Sequence, residues 1–394
     1  MEDLFYRYNP WWEEEYLLEG IIERISVLTL MKENFSSKQI IFLTGLRRVG
    51  KTTLLKLLIK ELITKEGIEP KHIFYISLDD YLLLKKSILE IVDEYRKIHK
   101  ISFKEKIFIF LDEVAYKEDF ELQLKNLYDN QNVKLYVSSS STSILKSKKP
   151  YLTGRTLIIE VLPLDFQEYL KFRGIKISKE DNHLKERYFE EYLNIGGLPE
   201  YVLRGDIEYV KELVDDIIYK DITAFYGIKT PQVLKDFFLL LMERVGERMS
   251  INKMAKILGI SPDTAKRYLE MFADTYLIYL VPRCGKLNER LLSPRKVYSS
   301  DVGIRSLFTG FRDKGSLFEN YVYLKIKRYN PCYVYKDGIE IDFLTMDKRL
   351  IEVKYHSQLP KAQLLLLNKL EAKEKIIINN INDLEGLLKK EDIF

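Results

Sequence analysis

The hydrophobic positions in the first part of the chain fall into five short runs, rich in β-branched and aromatic residues. Segments with helical spacing separate most of these runs, which lie at 39–44, 72–78, 106–112, 132–138 and 156–162. Unbroken apolar strands that alternate with helices are typical of a parallel sheet covered on both faces. The pattern therefore predicts an α/β fold around a five-stranded parallel core.

The pattern changes further along the chain, and these changes set the expected domain boundaries. Helical spacing with little strand character is followed by a second helical cluster and then by a mixed α/β pattern. We expect an N-terminal arm at 1–38, an α/β core at 39–164, a helical lid at 165–241, a helical module at 242–310 and a small α/β domain at 311–394.

Composition narrows the class of protein only slightly. The 63 basic and 59 acidic residues leave a net charge of +4, which permits a local nucleic-acid-binding patch without arguing for one. Two cysteines, Cys284 and Cys332, cannot build a disulfide framework or a four-ligand zinc site. Few cysteines and no charged-then-apolar leader predict a cytoplasmic protein. The apolar runs fall far short of the roughly 18 residues of a membrane span, so no membrane partner is expected.

The segment that follows the first predicted strand satisfies the pattern G-x-x-x-x-G-K-[ST] and reads Gly45-Leu46-Arg47-Arg48-Val49-Gly50-Lys51-Thr52. Glycines at these positions let backbone N–H groups surround phosphate oxygens, and the following helix directs the positive end of its dipole at them. Lys51 would then contact the β- and γ-phosphates, and Thr52 would be a ligand of Mg²⁺. The sequence predicts an ATP site here.

The third predicted strand ends in two carboxylates, Asp112 and Glu113. Asp112 would help to hold Mg²⁺, and Glu113 would polarise the water that attacks the γ-phosphorus. A serine run follows the fourth strand, and we expect Ser139 or Ser140 to contact the γ-phosphate. The nucleotide-binding set is Gly45, Arg47, Arg48, Gly50, Lys51, Thr52, Thr53, Asp112 and Ser139.

This order of strands and motifs resembles the AAA+ ATPases. Further motifs, at 45–52, 152–155, 163–169 and 196–200, resemble a widespread archaeal and bacterial group of that family, from about residue 20 to 380. The resemblance implies a ring-forming ATPase, so a homo-oligomer is one expectation and a monomer or dimer stays open. We assign a catalytic role to Arg155, which could act on the γ-phosphate of a neighbouring subunit.

The module at 242–310 carries the signature of a helix-turn-helix. A helix at 250–258 ends at Gly259, and Ser261 with Pro262 begins a second helix. Strands predicted at 276–282 and 296–300 would make it a winged variant. The second helix offers Lys266 and Arg267 to DNA phosphates, and the alternative is a module that binds only protein.

The C-terminal α/β pattern is similar to the PD-(D/E)xK nuclease core, a restriction-endonuclease-like fold. Asp342 lies on its second predicted strand, and Glu352 and Lys354 share one face of the third. Two carboxylates, with Glu319 from the preceding helix, would bind Mg²⁺ or Mn²⁺, and Lys354 would position water. Two alternatives stay open: Glu352 and Lys354 are catalytic residues of a nuclease, or the domain binds DNA without cleaving it.

These features predict a Mg²⁺-dependent ATPase that acts as a DNA-associated switch or motor, with ATP and DNA as partners. Two alternatives remain, a metal-dependent nuclease gated by ATP and a slow signalling ATPase that binds a protein partner.

Overall fold

The computed structural model describes residues 1–16, 18, 20–140 and 151–389. The chain divides into two compact units, Met1–Leu162 and Pro163–Phe394. Among the described residues, no helix is long and apolar enough to cross a bilayer. The helices of the first unit are α1 (Glu2–Tyr8), α2 (Ile25–Glu33), α3 (Lys51–Thr64), α4 (Ile88–His99) and α5 (Phe120–Asn130). Its strands are β1 (Ile40–Thr44), β2 (Ile73–Ser77), β3 (Ile107–Asp112), β4 (Val133–Ser139) and β5 (Thr156–Glu160).

The five strands of the first unit form one parallel sheet in the order β2-β3-β4-β1-β5. Strands β1, β3 and β4 are buried along their whole length, as unbroken apolar runs predict. The predicted α/β fold with a five-stranded parallel core is therefore confirmed. Because all strands run the same way, the carboxyl ends of β1, β3 and β4 meet at one edge of the sheet.

The N-terminal arm packs onto the edge strand β2 as part of this unit. Leu4 and Phe5 of α1 belong to its hydrophobic core. The buried Asn9 side chain accepts a hydrogen bond from Tyr75 N (2.6 Å) and donates one to Tyr75 O (2.9 Å). It thus replaces the missing neighbouring strand. The indoles of Trp11 and Trp12 both donate to the carbonyl of Ile73, so a potentially adhesive strand edge is covered.

The second unit begins with helices and continues with two small sheets. Its helices are α6 (Phe166–Phe172), α7 (Lys185–Ile195), α8 (Pro199–Arg204), α9 (Ile207–Asp216), α10 (Ala224–Tyr226), α11 (Pro231–Glu243), α12 (Ile251–Leu258), α13 (Pro262–Asp274), α14 (Leu287–Leu292), α15 (Val302–Thr309), α16 (Lys314–Ile326), α17 (Lys361–Lys369) and α18 (Ile381–Lys389). A π-helical turn, Ile217–Thr223, joins α9 to α10.

The strands of the second unit are β6 (Arg248–Met249), β7 (Ile278–Val281), β8 (Arg295–Ser299), β9 (Cys332–Lys336), β10 (Ile339–Leu344), β11 (Arg349–Val353) and β12 (Glu374–Ile378). The first three form an antiparallel sheet in the order β6-β8-β7. The last four form a sheet in the order β12-β11-β10-β9, in which only β11 and β12 pair in parallel.

The paired glycines of the segment 196–200 serve close packing. A Cβ at Gly197 would lie 2.0 Å from the carbonyl oxygen of Leu164, and one at Gly303 would lie 1.9 Å from that of Ile195. The buried carboxylate of Asp301 caps α15 and accepts a hydrogen bond from Gly197 N at 2.6 Å. This motif therefore joins α7 to the start of α15 by backbone contact.

Cys284 and Cys332 form a disulfide, with their Cα atoms 5.1 Å apart. Two cysteines are too few for a disulfide framework, and this single bridge was not predicted from the sequence. The two residues are 48 positions apart in the chain, and the end of β7 is brought to β9 by the Arg283–Tyr333 bridge and by the bond from Cys284 N to Tyr333 O. The disulfide thus reinforces a contact that the backbone already makes.

Candidate functional site

The loop between β1 and α3 uses its two glycines for different reasons. At Gly45 a Cβ would lie 2.3 Å from the backbone oxygen of Val161, so no side chain fits there. A Cβ at Gly50 would have no neighbouring atom within 4 Å, but the φ of Gly50 is +95°, a backbone conformation that favours glycine. Arg48 also has a positive φ, 62°. These turns bring the loop directly into the first turn of α3, the arrangement that binds phosphate in other proteins.

Lys51, the first residue of α3, lies buried against this loop. Its ammonium donates hydrogen bonds to the carbonyl oxygens of Gly45 (3.0 Å) and Leu46 (2.9 Å). The positive charge is therefore held beside the loop backbone. Arg47 and Arg48 lie within the loop, and Thr53 follows in the first turn of α3.

Asp112 is the centre of a set of hydroxyl contacts from three elements. Thr52 from α3 donates to its Oδ2 at 2.6 Å, and Tyr75 from β2 donates to the same oxygen at 2.9 Å. Ser138 from β4 donates to Oδ1. A carboxylate and a threonine hydroxyl in direct contact are oxygen ligands of the kind that Mg²⁺ prefers. The donor set therefore fits a magnesium ion at Thr52 and Asp112.

Glu113 adopts a left-handed backbone conformation (φ 53°) directly after β3. Its N–H donates to Ser138 Oγ at 3.0 Å, and its carboxylate accepts a hydrogen bond from Ser140 Oγ at 3.1 Å. Burial raises the pKa of Glu113, while the charge of Lys51 acts in the opposite direction. A carboxylate with a raised pKa is a stronger base, which suits the role assigned from the sequence.

The serine run contributes differently from the sequence assignment. Ser138 and Ser140 contact Asp112 and Glu113, respectively, because alternate residues of a strand share a side. Ser139 is buried between them and pairs in register with Thr44. Its contact with a γ-phosphate stays a prediction. Ser141 lies outside the described residues. Sequence reasoning missed Ser138 and Tyr75, although strand alternation in the serine run could have indicated the former.

Arg155 lies at the amino ends of the strands, whereas the phosphate loop lies at their carboxyl ends. Arg155 directly precedes β5, and the first residue of β5 pairs with Ile40 at the start of β1. The phosphate loop follows the other end of β1, four residues or roughly 13 Å further along the strand. Its guanidinium forms an ion pair with Asp129, with Nε and Oδ1 3.1 Å apart. Arg155 therefore does not reach its own phosphate loop, and only action on a neighbouring subunit stays as a prediction.

The predicted helix-turn-helix elements are present in the second unit. Helix α12 begins after its N-cap, Ser250, and ends at Gly259, which has a φ of 64°. Helix α13 begins after Ser261, whose side chain caps Thr264 N. Lys266 and Arg267 are exposed on α13.

The acidic residues of the nuclease-like pattern also lie close together, and a lysine from outside that pattern, Lys296, lies among them. Lys354 lies 2.7 Å from Glu352, and Asp342 N donates to Glu352 at 3.1 Å. Glu319 and Asp342 both contact the ammonium of Lys296, on β8, which sequence reasoning missed. Among the described residues, no group of three or more Asp, Glu, His or Cys side chains could hold a metal ion.

Comparison with known proteins agrees with this fold. A family model described as an AAA domain matches residues 37–170, and a domain of unknown function (DUF8612) matches residues 186–315. The fold and the phosphate loop define an AAA-like P-loop ATPase. The chain belongs to the family of the Methanocaldococcus jannaschii protein MJ1544, with 30% identity over 336 residues that cover 79% of this chain and 73% of that protein.

A second protein of the same organism, MJ1637, is 28% identical over 393 residues, covering 89% of this chain and 82% of that protein. Both relatives are described as uncharacterised. Among solved structures, the Walker-type ATPase PABY2304 of Pyrococcus abyssi is 16% identical, with a TM-score of 0.45, and covers 74% of this chain and 96% of that one. At this TM-score the likeness adds nothing to what the strand order already establishes.

Proposed function

We propose that this protein binds ATP with Mg²⁺ and hydrolyses it. The observation that carries the proposal is the direct contact of Thr52 with Asp112 beside the phosphate loop, at the edge of the sheet where Glu113 also lies. The site would place the phosphates against the loop backbone and the Lys51 ammonium. A magnesium ion held by Thr52 and Asp112 would neutralise charge on the β- and γ-phosphates.

The chain's own groups account for the remaining chemistry. Ser138 and Tyr75 fix both oxygens of Asp112, and Ser140 fixes the carboxylate of Glu113. Glu113, with its pKa raised by burial, accepts a proton from the attacking water. A positioned base of this kind contributes about 10²- to 10⁴-fold to a reaction rate.

Replacement of Glu113 tests this assignment. We expect Glu113→Gln to keep its affinity for ATP and to lose about 10²- to 10⁴-fold in turnover. Glu118→Gln, the same change at an exposed residue, is the matched control and should behave as the wild type. Fluorescent-nucleotide titration measures affinity, and phosphate release measures turnover. Equal turnover by the two variants would remove Glu113 from the role of base.

We infer further that hydrolysis drives a DNA-associated switch or motor. Support comes from α12, its Gly259 turn and α13, with β6 before them and β7 and β8 of the same sheet after them. Two such helices with a small antiparallel sheet are typical of a winged helix. Lys266 and Arg267 are its exposed cations for phosphate contact. On this proposal 165–241 is the lid, 242–310 the winged helix and 311–394 the nuclease-like domain, in a cytoplasmic protein.

The alternatives lead to different responses to DNA. A switch or motor should release phosphate faster with single- or double-stranded DNA. A signalling ATPase that binds a protein partner should bind ATP and turn over slowly, unchanged by DNA. Self-association is a separate question, since Arg155 can act only on a neighbouring subunit. Mass photometry with a non-hydrolysable ATP analogue would detect a ring, and a monomer with full activity would exclude that role.

A further inference from the structure

The acidic cluster of the second unit surrounds the side chain of Lys296. This lysine lies on β8, outside the segment with the nuclease-like pattern, and only 1% of its side chain is exposed. Its Nζ lies 2.6 Å from Glu319 Oε1, 2.9 Å from Glu340 Oε1 and 3.3 Å from Asp342 Oδ1. Three carboxylates from α16 and β10 therefore converge on one ammonium group.

The second oxygens of Glu340 and Asp342 have partners of their own. Asp342 Oδ2 accepts a hydrogen bond from Val353 N at 3.0 Å, and Glu340 Oε2 lies 3.0 Å from the guanidinium of Arg248. Glu319 Oε1 accepts a further hydrogen bond from the Tyr298 hydroxyl at 2.6 Å. These carboxylates are thus held in place by direct bonds to the protein.

Glu352 is engaged in the same way. Its Oε2 accepts a hydrogen bond from Asp342 N at 3.1 Å, and its Oε1 lies 2.7 Å from the ammonium of Lys354. One oxygen of this fully buried residue is therefore hydrogen bonded, and the other is in an ion pair. The expected metal ligand and the expected catalytic lysine form an ion pair with each other.

The electrostatics favour a charged Lys296. Three carboxylates lie within 3.3 Å of its Nζ, so their attraction favours the ammonium form at a position shielded from water. Buried carboxylates this close together need a positive partner to stay ionised. Lys296 provides that partner.

The residues do not fit the divalent metal that the sequence pattern predicted. Mg²⁺ and Mn²⁺ need several oxygen ligands around one point, and the ammonium of Lys296 takes that point between Glu319 and Asp342. A lysine held by three carboxylates cannot share those oxygens with a divalent ion in the same place. The alternative of a metal-dependent nuclease therefore has no support from this arrangement.

We propose that Lys296 is the resident cation of the acidic cluster, and that its ammonium takes the place that a divalent cation would need among Glu319, Glu340 and Asp342. The protein then binds no metal at this cluster and does not cleave DNA through it. Lys296 instead joins β8 to α16 and β10 by charge. Removing the ammonium leaves Glu319 and Asp342 without this cation, while Glu340 keeps Arg248. The vacated position is then open to a divalent ion.

Mn²⁺ binding to the nucleotide-free protein, followed by electron paramagnetic resonance, tests this proposal. The wild type and Asp342→Asn should bind the same amount of Mn²⁺, because any ion at the phosphate site is common to both. Lys296→Met, which keeps much of the side-chain volume, should bind one additional ion per chain. That ion should be lost in the Lys296→Met, Asp342→Asn double variant.

Two results would overturn the proposal. A wild type that binds an ion which Asp342→Asn removes would mean that metal displaces Lys296. A folded Lys296→Met variant without the additional ion would mean that Lys296 does not take the place of a divalent ion. If Lys296→Met does not fold, the wild type and Asp342→Asn still decide which cation is resident. The phosphate site is not altered in any arm, so failure here is distinct from failure of the proposed ATPase.

Discussion

The N-terminal arm makes the most quantitative prediction, because one side chain carries its attachment to the sheet. Asn9 is fully buried and bonds to both backbone groups of Tyr75 on the edge strand β2. Asn9→Ala leaves a buried N–H and a buried carbonyl of Tyr75 without this partner. The carbonyl of Phe5, which also accepts from the Asn9 side chain, keeps its backbone bond from Asn9 N.

Each buried polar group left unsatisfied costs about 1–3 kcal/mol, so two such groups cost about 2–6 kcal/mol. In a unit of this size, one kcal/mol corresponds to about 2–4 °C in the melting temperature. A loss of about 4 kcal/mol therefore lowers the melting temperature of the first unit by about 8–16 °C. Differential scanning calorimetry measures the shift.

The matched control is Asn34→Ala, which removes the same amide from a half-exposed position where its hydrogen bond is open to solvent. That side chain donates one hydrogen bond, to the carbonyl of Leu30 at 2.9 Å, and surface changes of this kind are worth about 0.5 kcal/mol or less. The two variants should therefore differ clearly. If Asn9→Ala melts at the same temperature as Asn34→Ala, the arm does not hold the edge of the sheet and the reasoning fails.

Three other predictions follow from single contacts. Gly303→Ala should lower the melting temperature of the second unit in calorimetry, because its Cβ would lie 1.9 Å from the carbonyl oxygen of Ile195. The control Gly386→Ala lies in open space within α18 and should stabilise the unit by about 0.5–1 kcal/mol. Equal effects of the two variants would contradict the packing role of Gly303. Tyr75→Phe removes one hydroxyl from Asp112 and should reduce phosphate release more than ATP binding in the same two assays, while an unchanged rate would mean that this hydroxyl does not position the carboxylate. Lys266→Glu with Arg267→Glu should weaken DNA binding in fluorescence anisotropy and reduce the salt slope by about two, whereas an unaltered slope would place the DNA contact elsewhere or exclude it.

The features that could be predicted from the sequence are those encoded locally. Each of the five core strands is a short apolar run, and the phosphate loop and the Asp112–Glu113 pair are contiguous motifs. Their convergence at one edge follows from the parallel direction of the strands. The helix boundaries around Gly259 and Ser261 were equally accessible, because capping residues act on their immediate neighbours.

The features that could not be predicted depend on pairing between distant segments. Tyr75 reaches Asp112 only because β2 and β3 are neighbours with Ser77 opposite Asp112. Lys296 reaches the acidic cluster only because β8 packs beside α16 and β10, and no spacing within 311–394 indicates a lysine from outside. The Asn9 side chain bonds to the backbone of Tyr75 at the edge of β2. Such a contact cannot be predicted from the spacing of hydrophobic residues. These contacts are set by tertiary register.

The central claim, that this chain is a Mg²⁺-dependent ATPase, is tested most directly by phosphate release from ATP by the pure protein. The wild type should release phosphate in Mg²⁺ and stop when the metal is chelated. Lys51→Ala should neither bind ATP nor release phosphate, since the ammonium beside Gly45 and Leu46 is removed. Wild-type protein that releases phosphate no faster than Lys51→Ala, with or without DNA, would contradict the account.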